Sequence, residues 1–213
     1  MLISLVKKDI LLVKKYMLMM MIITVAIPIF ILWRMPQFLG FVAFLISTIY
    51  TELMLCQFVS MTELKYPKTD ALLCAIPYPR RTIVVARYTF FLLIFAYCVL
   101  AYSLVSLIIP QIKFLSLSNV LTVLLILTTL FGVYTPIQYK LGFEKTKYFF
   151  TIVIVATPFL SPTLTKLGIS LDLNWLSSMP LFVWILIMIA MIILVLSVSV
   201  ITSINIYEKK ELY

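Results

Sequence analysis

The chain has 213 residues, 64% of them apolar and 12% charged, whereas an ordinary soluble domain is about 45–50% apolar and about 25% charged. A core of this length leaves much of its surface exposed, and 17 basic plus 8 acidic side chains could not cover that surface, so the composition excludes a water-soluble fold. The absence of histidine removes imidazole ligands and the commonest general base, and the net charge of +9 reads as cations gathered at one membrane face rather than as a nucleic-acid surface.

At the start of the chain Ile3, Val6, Ile10 and Val13 recur at helical spacing while Lys7, Lys8, Lys14 and Lys15 gather on the other side. This predicts an interfacial helix over residues 1–16, its apolar stripe in the headgroup boundary and its lysines toward anionic lipid. Six apolar segments follow: Met17 to Trp33, Phe38 to Met61, Tyr88 to Ile109, Asn119 to Gln138, Tyr148 to Leu167, and Pro180 to Ile206. Each approaches the roughly 20 residues needed to cross about 30 Å of hydrocarbon. All must be helical, because lipid cannot satisfy an open backbone and the alternating pattern of a barrel is missing. The expected fold is all-α, a single polytopic domain over residues 1–213 with six transmembrane helices. No cleavable signal peptide is expected, since the first apolar run lacks a small-residue cleavage site.

The loops are asymmetric in charge. Fourteen cations fall before span one, after spans two and four, and at the carboxyl end, against three (Arg34, Lys113, Lys166) in the opposite loops. Both termini are therefore expected on the cytoplasmic side. Span five carries Pro158 and Pro162 one helical turn apart, so its outer half should be kinked or broken, with residues 158–179 forming an outer re-entrant segment.

The longest hydrophilic segment, Thr62 to Arg87, lies between spans two and three. Within it Tyr66 to Ile76 spells a short helix: Thr69 or Asp70 can cap its amides, Pro77 ends it, and Leu72, Leu73 and Ile76 form an apolar face. Such a helix suits a groove on a cytoplasmic partner protein, with Arg80 and Arg81 placed to meet acidic residues on it. The plainer role of these arginines, and of Arg87, is topological anchoring.

Inside the spans Glu52 stands out, because a carboxylate near mid-bilayer costs roughly 2.5–3.5 kcal/mol on insertion scales. Thr48, Glu52, Cys56 and Ser60 follow at i+4 and make a weakly polar stripe that should face protein or water. It serves either as a protonated, hydrogen-bonded packing element or as a lining for cationic or amphipathic cargo. Cys56, Cys74 and Cys98 lack metal-like spacing and read as reduced packing residues, with no metal site expected.

Four stretches carry a family resemblance: Lys7-Lys8-Asp9, Ala75 through Tyr88, Tyr139 through Lys145, and Ile206 through Leu212. Together they resemble the small six-span permeases of type-two ABC exporters, most closely those of Gram-positive systems for amphipathic peptides, phenol-soluble modulins and antimicrobial-peptide self-protection. The resemblance implies an amino-terminal elbow helix, a cytoplasmic coupling helix between spans two and three, and a broken helix near an outer gate at Pro158 and Pro162. It implies two permeases, alike or related, on two ATPase subunits in a bacterial plasma membrane, with a substrate path along spans one, two and five that would include Thr48, Glu52 and Cys56. Tyr66, Asp70, Leu72, Leu73, Ile76, Arg80 and Arg81 would then receive the ATPase. This chain cannot bind ATP through a P-loop, since Gly40, Gly132, Gly142 and Gly168 do not have that spacing. No cofactor is expected in it, and ATP with magnesium would sit in the partner subunit. A secondary transporter or channel is the alternative, disfavoured because such proteins place several ionisable groups at midplane. An intramembrane enzyme lacks its usual constellations.

Overall fold

The computed structural model describes residues 2–34, 40–65, 79–112, 114–148, 151–152 and 181–209. Six long helices carry them: α1 Leu2–Leu12, α2 Lys14–Arg34, α3 Phe41–Lys65, α4 Arg80–Ile108, α5 Leu117–Leu141 and α6 Leu181–Lys209. A further helical stretch covers 143–148, and no strand occurs among the described residues. Helices α2 to α6 are each long and apolar enough to cross a membrane. At about 1.5 Å per residue, the 25-residue α5 spans about 37 Å, enough for the hydrocarbon and part of both headgroup layers.

The helix ends follow local chemistry. Ser116 caps α5 by accepting from the Asn119 amide at 3.3 Å, and Gly142 closes it with φ 83°, a conformation that favours a residue without Cβ. Pro28 lies within α2 without ending it. The spans extend beyond their apolar stretches: α3 continues through Thr62 to Lys65, and α4 begins at Arg80 rather than Tyr88. The hydrophilic segment between spans two and three is therefore shorter than the sequence reading drew it, because its first and last residues prolong the helices on either side.

Contacts between helices fix the topology. Helix α6 runs parallel to α5, since Ser199 meets Gly132 and Tyr207 meets Tyr139. It runs antiparallel to α4, where Tyr88 meets Ser203 and Arg81 meets Glu208. The fifth expected span and the segment containing Pro158 and Pro162 fall mostly outside the described residues.

The main core joins α3, α4 and α5 through Phe44, Phe91, Tyr102, Leu127 and Phe131, with the Phe91 and Phe131 rings stacked at 4.3 Å. At Gly132 an added Cβ would meet Ser199 Cβ and Oγ at 3.4 Å, so this small residue lets α5 and α6 approach closely. The Ser199 hydroxyl donates to the Gly132 carbonyl at 2.8 Å, and the Tyr88 hydroxyl lies 2.5 Å from Ser199 Oγ and 3.0 Å from Ser203 Oγ. This chain joins α4, α5 and α6 through polar atoms that lipid could not satisfy. Outward, α6 shows Phe182, Leu186, Ile193, Leu194, Val198 and Ile201, as befits a hydrocarbon-facing surface.

Helix α1 departs from expectation in its facing. Val6 and Val13 are buried and Ile10 is half-buried, whereas Ile3 is exposed. Leu5 and Val6 pack on Ala86 of α4, and Val13 joins Met20, Leu55, Val59 and Phe90. Part of the stripe read as lipid-facing is thus covered by protein: the extension of α4 supplies Ala86 under Leu5 and Val6, while α3 and the apolar part of α4 cover Val13.

Candidate functional site

At one end of the bundle, α1, α3, α4 and α5 are tied by a compact set of polar groups around Glu63 and Ser60 of α3. Arg87 Nη2 donates to Glu63 Oε2 at 2.6 Å, and Lys8 Nζ donates to Glu63 Oε1 at 3.2 Å. The same guanidinium donates through Nη1 to Ser60 Oγ at 3.1 Å, and Gln138 Nε2 from α5 donates to that oxygen at 2.6 Å. Ser60 in turn donates to the Cys56 carbonyl at 2.9 Å, so its hydroxyl is fully engaged.

Asp9 lies beside this set, buried, with Oδ1 3.1 Å from Lys8 Nζ. Burial pushes its carboxyl above the ordinary carboxylate value, against the opposing pull of Arg87 and Lys8. Arg87 is buried as well, and its charge is tolerable there because Glu63 neutralises it and Ser60 takes another of its donors. Two carboxylates and two cations held this way tie α1, α3 and α4 together. No metal-binding cluster occurs among the described residues.

The position of the tie gives it meaning. Glu63 lies two residues before the end of α3 and Arg87 two turns into α4, so their ion pair joins the two helices that residues 66–78 connect in sequence. The residues expected to meet a partner there, Tyr66, Asp70, Leu72, Leu73 and Ile76, lie outside the described residues, as does the Arg80 side chain. Arg81 is described. It bonds Glu208 of α6 at 2.8 Å on an exposed surface and so adds a further, solvent-screened link at the same end.

Thr48, Glu52 and Cys56 are all buried on α3. Thr48 donates to the Phe44 carbonyl, Thr51 to Ser47 at 2.7 Å, and Ser47 to Phe44 at 2.9 Å, so these hydroxyls are spent on their own helix one turn back. Thr24 of α2 meets Thr51 at 2.7 Å. Glu52 differs: both carboxyl oxygens are buried without a hydrogen-bond partner among the described residues. The stripe is buried against protein, and the hydrogen bond that a purely structural role would supply to Glu52 is not made among the described residues. Cys56 and Cys98 are free and buried.

Sequence reasoning missed Glu63 as the hub and treated Arg87 as an anchor. A signal was present. Residues 52, 56, 60 and 63 continue along one helical face, so Glu63 extends the polar stripe of Thr48, Glu52, Cys56 and Ser60 by one more turn.

A family model described as ABC-2 family transporter protein matches residues 4–208, nearly the whole chain. The chain belongs to the ABC-2 transporter family. Among curated proteins and among solved structures, nothing matches it. As an ABC-2 permease it is an integral membrane transport subunit, of a family whose members work with an ATPase subunit, and Glu63 and Arg87 join the helices on either side of residues 66–78.

Proposed function

We propose that this ABC-2 permease moves amphipathic substrates, peptides foremost, out of the cytoplasm, driven by ATP hydrolysis in a separate subunit. Six spans cross a bacterial plasma membrane, with both termini and the tied end in the cytoplasm. Two permeases, identical or related, share two ATPase subunits that bind ATP and magnesium. Each ATPase receives the short helix over Tyr66 to Ile76, its apolar face formed by Leu72, Leu73 and Ile76. Near the outer surface the chain around Pro158 and Pro162 gates release, and Thr48, Glu52 and Cys56 come into contact with cargo when the helices rearrange.

The observation that carries this reading is the Glu63–Arg87 contact. It joins both stems of the loop, while Lys8 brings in α1 and Gln138 brings in α5 through Ser60. A displacement of the loop by ATPase closure therefore reaches four helices as one body, and the bundle can be biased between two arrangements. Leu73→Asp tests it. The variant should insert normally but fail to co-purify with its ATPase, and normal co-purification would refute docking on this helix.

A further inference from the structure

Between α3 and the helical stretch over 143–148 lies a cavity of about 340 Å³, separate from the charged tie. Its size falls at the small end of ligand pockets, about 300–1,000 Å³, which suits a short segment of chain. Met54, Phe58 and Met61 rise along one face of α3 and meet Phe143 across the opening. Phe58 is held by stacking on Tyr16 at 4.3 Å, while the flexible thioethers of Met54 and Met61 can repack around varied apolar side chains.

Thr151 also lines the cavity and spends its hydroxyl on the Lys147 carbonyl at 2.8 Å, whereas the other polar side chains of the lining are less committed. Glu144 and Lys147 stand one helical turn apart, and no ion pair engages either among the described residues. Lys147 Nζ instead lies 5.0 Å from the centre of the Tyr148 ring. Gln57 also lines the cavity, and its Nε2 is buried without a hydrogen-bond partner among the described residues. A hydrocarbon tail would leave that amide unmatched. A peptide group, with one carbonyl and one N–H, complements a primary amide in both directions.

We infer that this cavity is the loading site for an amphipathic peptide segment: apolar side chains enter between Met54, Phe58, Met61 and Phe143, the backbone pairs with Gln57, and charged groups pair with Glu144 and Lys147. The inference rests on the export reading above and names a place where cargo is first held.

The test uses the full permease–ATPase complex in lipid nanodiscs, with Met61 replaced by a photoreactive benzoylphenylalanine and a fluorescein-labelled amphipathic leucine–lysine peptide as probe. Irradiation should transfer fluorescence to the permease, and Gln57→Leu should reduce that transfer about fivefold, as expected for one lost hydrogen bond. Absence of labelling, labelling unaffected by both Gln57→Leu and the Glu144→Gln/Lys147→Gln pair, or peptide labelling displaced by a phosphatidylethanolamine photoprobe would each overturn the site. Peptide-stimulated ATP hydrolysis without labelling at Met61 would remove the loading site and leave the export reading standing. Labelling without any stimulation would retain the site and remove that reading.

Discussion

Arg87 Nη2 stands 2.6 Å from Glu63 Oε2, and this contact fastens the end of α3 to the beginning of α4. Breaking it from one side should be costly. Glu63→Gln leaves the Arg87 charge buried with no direct acidic partner, and removing one member of such a pair typically costs about 3–5 kcal/mol. Replacing both, as Glu63→Gln with Arg87→Met, should cost much less, because no unpaired charge remains. Thermal unfolding in detergent, followed through the reactivity of the buried Cys56 and Cys98 thiols, checks the contrast. Equal loss in the single and double variants would contradict it.

Gly132 and Ser199 set the spacing of α5 and α6. Gly132→Ala places a methyl at ordinary contact distance from Ser199, and with the helix propensity gained, about 1 kcal/mol, stability should be held or slightly raised. Gly132→Leu should drive the helices apart, break the Ser199 hydrogen bond to the Gly132 carbonyl and lower the melting temperature by several degrees. Unfolding curves of the two variants should lie on opposite sides of the parent or nearly so.

Glu52 should show stability and function pulling in opposite directions. Its carboxyl is buried and unmatched among the described residues, so Glu52→Leu removes an unmet polar group and should stabilise by about 1–3 kcal/mol. If the carboxyl meets cationic cargo when the bundle rearranges, the same substitution lowers transport of basic peptides and spares neutral ones. Parallel melting and vesicle-transport assays decide the matter, and unchanged transport of a basic peptide leaves Glu52 with a structural role alone.

Five of the six expected spans were legible in the sequence because the bilayer imposes one demand, a run of apolar residues, and α2 to α6 satisfy it; the remaining one lies mostly outside the described residues. Their ends were less legible. Thr62 to Lys65 and Arg80 to Arg87 contain polar residues that hydropathy ends a span on, yet nothing in them breaks a helix, and α3 and α4 continue through them. The facing of Val6 and Val13 was not legible either: amphipathic spacing shows which side is apolar, but not whether lipid or neighbouring helices cover it. Glu52 was visible as an outlier of composition. The hub at Glu63 was harder to see, since its importance comes from Lys8, Arg87 and Ser60 converging from distant parts of the chain.

The account depends most on the side of the membrane to which the tied end and its loop belong. A single cysteine placed at Lys68, after Cys74 is changed to serine, can be challenged in intact cells with a membrane-impermeant maleimide. Cys56 and Cys98 are buried and should stay silent. The account predicts no labelling until the membrane is opened, followed by rapid reaction. Prompt labelling from outside intact cells would contradict it, because no ATP-driven subunit could then reach the loop.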